Sequence, residues 1–140
     1  MEVIVQREDV WAASVDDTPG ALGDKLSALT DAGADLQFII VRRAPEKPGT
    51  GVVFVTPLRG DREVQAASAV GFVVTSGLRS VRVEGPDEPG VAAKLAKAVG
   101  DAGINMRGFS AAVLGTHFVV HIGVDSTEDA EAVVRLLSER

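Results

Sequence analysis

The chain has 140 residues, 46% of them hydrophobic and 24% charged, a composition that fits an ordinary globular protein. Twenty acidic residues against fourteen basic ones give a net charge of −6, which argues against non-specific nucleic-acid binding, a process that rests on counterion release by Lys and Arg. The absence of cysteine excludes disulfides, thiolate metal sites and cysteine nucleophiles, and no apolar run approaches the roughly 18 residues of a membrane span.

The N-terminus also lacks the basic and apolar regions of a secretory signal, so a cytoplasmic protein without membrane contact is expected. Residues 2–6, Glu-Val-Ile-Val-Gln, read as a strand. Residues 10–15 form an apolar run with Trp11 and read as a second strand. After Pro19-Gly20, Leu22, Leu26 and Leu29 recur at helical spacing, and Gly33 ends that helix. Residues 36–41 are a strand rich in Phe and Ile, residues 44–49 a loop by their Pro and Gly content, and residues 52–55 a strand stopped by Pro57. Asp61 is placed to cap a short helix reaching Ala69, and residues 72–75 form a further strand.

The same series then recurs. Residues 81–83 read as a strand, and Val91, Ala92, Leu95 and Val99 line one face of a helix. Residues 105–113 and 118–124 are strands joined by a turn at Gly115-Thr116. Ser126 and Asp129 resemble a capping box ahead of the stripe Ala130, Val133, Val134 and Leu137. The recurrence has a fixed offset: Asp17-Thr18-Pro19-Gly20 returns as Asp87-Glu88-Pro89-Gly90, and Asp31-Ala32-Gly33 as Asp101-Ala102-Gly103, each 70 residues on.

Each copy is therefore β-α-β-β-α-β, an α+β arrangement with the helices on one face of an antiparallel sheet. The expected modules span residues 8–76 and 79–140. The second copy ends in its helix and lacks a fourth strand. Residues 2–6 are expected to supply it, since a three-stranded sheet would leave an edge unpaired; the alternative is a separate edge strand.

Asp-x-Pro-Gly lies between the first strand and first helix of both copies. Pro suits a first helical position, Asp suits a cap, and Gly lets a ligand approach the backbone. Open amides at a helix N-terminus favour a carboxylate or phosphate. A single such turn means little, but two in register are distinctive.

The run from Ser80 through Val81-Arg82-Val83-Glu84-Gly85-Pro86-Asp87-Glu88-Pro89-Gly90 to Asp101-Ala102-Gly103-Ile104-Asn105-Met106 resembles the ACT domain, a family named for amino-acid-regulated enzymes such as aspartokinase and chorismate mutase. The first copy resembles it through Asp16 to Leu22 and Ala32 to Leu36, departing at Asp35, where the family often has Asn. The resemblance implies two ferredoxin-like modules side by side and a regulatory, non-catalytic role in binding an amino acid or similar small metabolite, with no cofactor and no metal. It places the ligand between paired modules, at their interface, with contacts at Asp87, Pro89, Gly90, Val91, Asn105 and Met106, and in the first copy at Asp17, Pro19, Gly20, Ala21, Asp35 and Leu36. In the second copy, amides at Gly90 and Val91 are expected to hold the ligand's carboxylate, Asn105 its head group, and Asp87 to cap the helix. An ionised Asp35 cannot donate to a carboxylate, so the second copy is expected to be the better site.

Other candidates are weaker. His117 and His121 share a strand face, but four residues span roughly 13 Å, too far for one metal ion, so packing or interface roles are expected. Ser110 has no evident His and Asp partners, and no Walker or Rossmann glycine pattern occurs. Arg107-Gly108-Phe109 matches part of an RNA-binding signature, but the aromatics that should follow it are missing. In the first copy, Ile39 and Val41 oppose Leu36, Phe38 and Ile40, and Val53 and Val55 oppose Val52 and Phe54. A sheet apolar on both faces needs cover on both, so a homodimer or larger assembly is expected, with output through a regulated protein partner. Two rivals stand beside this expectation: an assembly module without ligand, and an enzyme on a ferredoxin-like scaffold.

Overall fold

The computed structural model describes residues 2–75 and 79–139. Twelve elements follow in order: β1 (Ile4–Glu8), β2 (Trp11–Asp16), α1 (Ala21–Asp31), β3 (Phe38–Arg43), β4 (Thr50–Thr56), α2 (Gly60–Ala69), β5 (Val73–Val74), β6 (Arg79–Pro86), α3 (Val91–Asp101), β7 (Met106–Leu114), β8 (His117–Val124) and α4 (Thr127–Ser138). They group into two units. The first module is residues 9–75; the second is residues 1–8 together with 76–140.

Both modules have the same sheet. The first runs β3-β4-β2-β5 and the second β1-β6-β8-β7, antiparallel throughout. This is the ferredoxin-like order in duplicate, and β1 fills the place that β5 fills in the first module. The N-terminal strand thus completes the second sheet, pairing from Ile4 with Glu84 to Glu8 with Ser80. It runs two residues later than the 2–6 expected. Val3 and Val5 pack on the second core, and Glu2 passes over Gly85 so closely that a Cβ there would lie 2.6 Å from the Glu2 carbonyl oxygen.

Strand alternation and helical stripes meet in two separate cores. Val53 and Val55 pack with Leu29, Ala67 and Phe72 in the first module. Val81, Val83, Val120 and Ile122 pack with Leu95, Val99, Val133 and Leu137 in the second. Each of the Val, Leu, Ile and Phe side chains contributes about 1.5–3 kcal/mol by leaving water. Several boundaries differ from the pattern in the sequence. β3 begins at Phe38, leaving Leu36 in the preceding loop, and β7 begins at Met106, leaving Asn105 outside it. α2 is capped at Arg59 and not at Asp61, because the Glu63 carboxylate reaches back to accept from the Arg59 amide at 2.8 Å. Ser126 does cap α4, its hydroxyl accepting from the Asp129 amide at 3.0 Å.

The helix-free faces differ in character. In the first module Ala12, Phe54 and Ile40 stand abreast. In the second, Gln6, Arg82, His121 and Ser110 stand abreast, and the neighbouring row carries Glu84. No described helix is long and apolar enough to cross a membrane.

Candidate functional site

The two Asp-x-Pro-Gly loops close the C-terminal ends of β2 and β6. The Asp17 amide donates to the Gly49 carbonyl at 2.9 Å, and the Asp87 amide to the Thr116 carbonyl at 2.8 Å. Gly20 and Gly90 are the N-caps, at φ 88° and 84°, a left-handed backbone that glycine adopts without strain. Pro19 and Pro89 therefore lie one step outside the helices and not at the first helical position, since a φ fixed near −65° cannot make this turn.

Neither helix has a side-chain cap. Asp87 does not cap α3, and in the first module the Asp17 carboxylate accepts from Arg43 Nε at 2.9 Å instead. The Val91 amide is not open either. It donates to the Glu88 carbonyl at 3.1 Å, as Ala21 does to Thr18 at 3.3 Å. The first helical bonds run from Lys94 to Gly90 and from Asp24 to Gly20, both at 3.0 Å. The amides without an intrahelical acceptor are thus those of Ala92 and Ala93, and of Leu22 and Gly23.

The second-strand residues stand far from these loops. Pro86 pairs with His117 at one end of β8, and Met106 pairs with Val124 at the other. Seven residue steps separate them, roughly 23 Å. Asn105 and Met106 thus cannot share a ligand with Gly90 and Val91 of the same module. Asp35 and Leu36 likewise precede β3, whose far end, Arg43, meets Asp17. Parallel strands with the loop at one end and the entry at the other make this unavoidable.

A feature not foreseen from the sequence adjoins the first loop. Val15, Leu22, Val41 and Gly51 floor a pocket of about 190 Å³, rimmed by Asp16, Asp17, Thr18, Arg42 and Arg43. Gly51 stands between Val15 and Arg43 in the sheet, where a Cβ would lie 2.7 Å from the Arg42 carbonyl oxygen. The equivalent row of the second module reads Gly85, Phe118, Val113, and the Phe118 ring is fully buried there. The ring stands where the first module has a glycine. The hint in the sequence was a pair of arginines ending an otherwise apolar strand.

The histidines take separate partners on the helix-free face of the second module. His121 Nδ1 lies 2.6 Å from Glu8 Oε2, and that carboxylate also accepts from Ser80 at 3.0 Å. His117 Nε2 lies 3.2 Å from Glu84, whose other oxygen is 2.8 Å from Arg82. The Arg82 guanidinium, then His117, hold the Glu84 carboxyl below the usual glutamate range. Ser80 is bonded to Glu8 and not to His121, which is not the arrangement of an activated nucleophile. Among the described residues, no group of three or more His, Asp or Glu is placed to hold a metal ion.

With this geometry in view, the chain can be set beside known proteins. Residues 79–139 match the family model of the ACT domain. That match covers the second module from β6 to α4, without β1, and the first module shares its strand order. The whole chain also resembles solved structures. A Bacteroides thetaiotaomicron protein superposes with a TM-score of 0.76 at 15% identity, over 96% of this chain and 90% of that one. The ligand-free regulatory subunit of aspartate kinase from Thermus thermophilus gives 0.68 at 21%, over 99% and 96%. E. coli aspartokinase III in complex with lysine and aspartate gives 0.56 at 17%, over 99% of this chain and 32% of the enzyme. At these identities the likeness is one of fold. A search of curated protein sequences returns no match.

Proposed function

We propose that this chain is a non-catalytic regulatory protein that binds an amino acid, and that its pocket is in the first module. The observation that carries this is the pocket itself, where two carboxylates and two guanidiniums rim an apolar floor. A zwitterion needs that pairing: a cation for its carboxylate, an anion for its ammonium, and apolar contact for its side chain. Arg43 and the Leu22 and Gly23 amides suit the carboxylate, and Asp16 or Asp17 the ammonium. The volume lies below the roughly 300–1,000 Å³ of sites for drug-sized ligands, so a small metabolite is the right scale. Likeness to regulatory subunits of aspartate kinase supports a regulatory role. The loop from Asp87 to Val91 is the lesser site, because Phe118 takes up its volume.

A thermal-shift panel of the twenty amino acids tests this. A ligand at a hundredfold excess over its Kd adds roughly 2.7 kcal/mol of stability by mass action. At least one amino acid should raise the Tm, and Arg43→Ala should remove the rise. If no amino acid moves the Tm of the unaltered chain, the proposal fails.

A further inference from the structure

The pocket beside the first loop is divided by chemistry. Its charged side chains all stand at the rim. The side chains of the floor are Val15 from β2, Leu22 from the first turn of α1 and Val41 from β3, three branched aliphatic groups from three elements. Gly51 adds only backbone.

That backbone offers the floor nothing polar. The Asp17 amide donates to the Gly49 carbonyl at 2.9 Å, and the Ala44 amide to the Thr50 carbonyl at 3.0 Å. Along β4 the odd residues therefore turn to β2 and the even ones to β3. The amide and carbonyl of Gly51 are thus taken by Val15, its partner in the sheet. Arg42 faces Val52 in the same way, so the amide and carbonyl of Val41 point along the sheet to the open edge of β3 and not up into the floor.

We propose that this floor selects the side chain of a branched aliphatic amino acid, of the size of valine or leucine. The inference rests on the reading of the pocket as an amino-acid site. Polarity sets the direction of binding. A head group on the floor would leave its ammonium and carboxylate without partners, whereas the rim supplies both. A charged side chain laid on the floor would be unpaired in the same way. An aromatic one overfills a volume of about 190 Å³ that the head group must share. Alanine leaves the floor unfilled, and one missing methylene in an apolar pocket is worth roughly 10–200-fold in selectivity. Threonine matches valine in shape and adds a hydroxyl with no partner there, worth about 100-fold against it.

Calorimetric titration of the full chain with valine, leucine, threonine, alanine, phenylalanine, lysine and aspartate tests this. Valine or leucine should bind most tightly, with threonine about 100-fold weaker than valine and alanine at least tenfold weaker. Val41 is 39% exposed, so Val41→Phe should fold normally, fill the floor and abolish binding of valine and leucine. Ile39 stands two residues back on the same face of β3, 43% exposed and outside the pocket, and Ile39→Phe should leave binding unchanged. If Val41→Phe unfolds, Val41→Thr decides: it should narrow the preference for valine over threonine at least tenfold. A charged or aromatic amino acid that binds most tightly and is lost in Arg43→Ala overturns this inference while the site stands. Threonine binding as tightly as valine overturns it, as does valine binding that survives a folded Val41→Phe. If no amino acid binds the unaltered chain, the reading of the site falls and this inference with it.

Discussion

Gly85 and Phe118 face each other across β6 and β8, and the ring occupies the space that a side chain at residue 85 would need: a Cβ built there lies 3.2 Å from Phe118 Cε1. The first module has the reverse assignment, Val15 facing Gly51. The duplicated sheets thus place the larger side chain of this cross-strand pair on opposite strands, and in both modules a neighbouring carbonyl crowds the glycine, Arg42 at Gly51 and Glu2 at Gly85.

Gly85→Ala should therefore be costly. The added methyl would meet the Glu2 carbonyl oxygen at 2.6 Å as well as the ring, and a backbone atom cannot step aside cheaply. A loss of about 1–3 kcal/mol is expected, as for other overpacked sites. Gly100→Ala is the control. Its Cβ would meet nothing within 4 Å, it lies inside α3, and it should gain about 0.5–1 kcal/mol. Urea denaturation of the two variants checks both signs.

Glu8 anchors β1 to two further strands, through Ser80 on β6 and His121 on β8. The pair with His121 is largely out of water, with side chains 14% and 7% exposed. Glu8→Ala takes the carboxylate from both groups at once. The expected cost is about 1–3 kcal/mol. Amide exchange should quicken at Arg82 and Glu84, whose N–H groups face β1, and change little within residues 9–75. Uniform exchange across both modules would contradict this.

The duplicated fold was legible because each level of the sequence agreed with the others. The apolar periods changed between 2 and 3.6 at turn residues, twice, at a constant offset. Even the fourth strand of the second module could be assigned, since one good strand lay unused at the chain start. The site was less legible. Asp17, Asp87, Pro89 and Gly90 do form the loops, but the motif does not state where its aspartates point. That depends on Arg43, 26 residues away, and on whether residue 51 or 118 carries a side chain. The resemblance sets Asn105 and Gly90 on one ligand between paired modules; within a single module they lie at opposite ends of the sheet, a consequence of strand direction and not of spacing.

The Glu84 carboxyl offers a pH test. Its folded pKa is depressed, by Arg82 first and His117 second. The ionised form is thus favoured by folding, and the stability it contributes is present above the unfolded value. That part is lost as pH falls from about 5, near the unfolded glutamate range, down through the folded pKa. The urea midpoint of the unaltered chain should therefore drop more steeply below pH 5 than that of Glu84→Gln. Parallel curves would show that the Arg82 and His117 contacts contribute nothing to folding.

Asp17 allows ligand binding to be separated from stability. Its ion pair with Arg43 is solvent-exposed, the two side chains being 41% and 85% accessible, and such pairs contribute about 0–1 kcal/mol. Asp17→Asn should leave the Tm of the ligand-free chain nearly unchanged. It removes one anion from a rim that also holds Asp16, and frees Arg43 from a competitor for an incoming carboxylate. The amino acid that shifts the unaltered chain should bind Asp17→Asn at least tenfold more weakly if Asp17 holds the ammonium. It should bind more tightly if Asp16 holds it and Asp17 merely occupies Arg43. Asp87→Asn, at the loop beside the buried Phe118, should change neither value. Calorimetric titration of the three proteins with that amino acid distinguishes these outcomes, and a loss of affinity confined to Asp87→Asn would place the ligand in the second module instead.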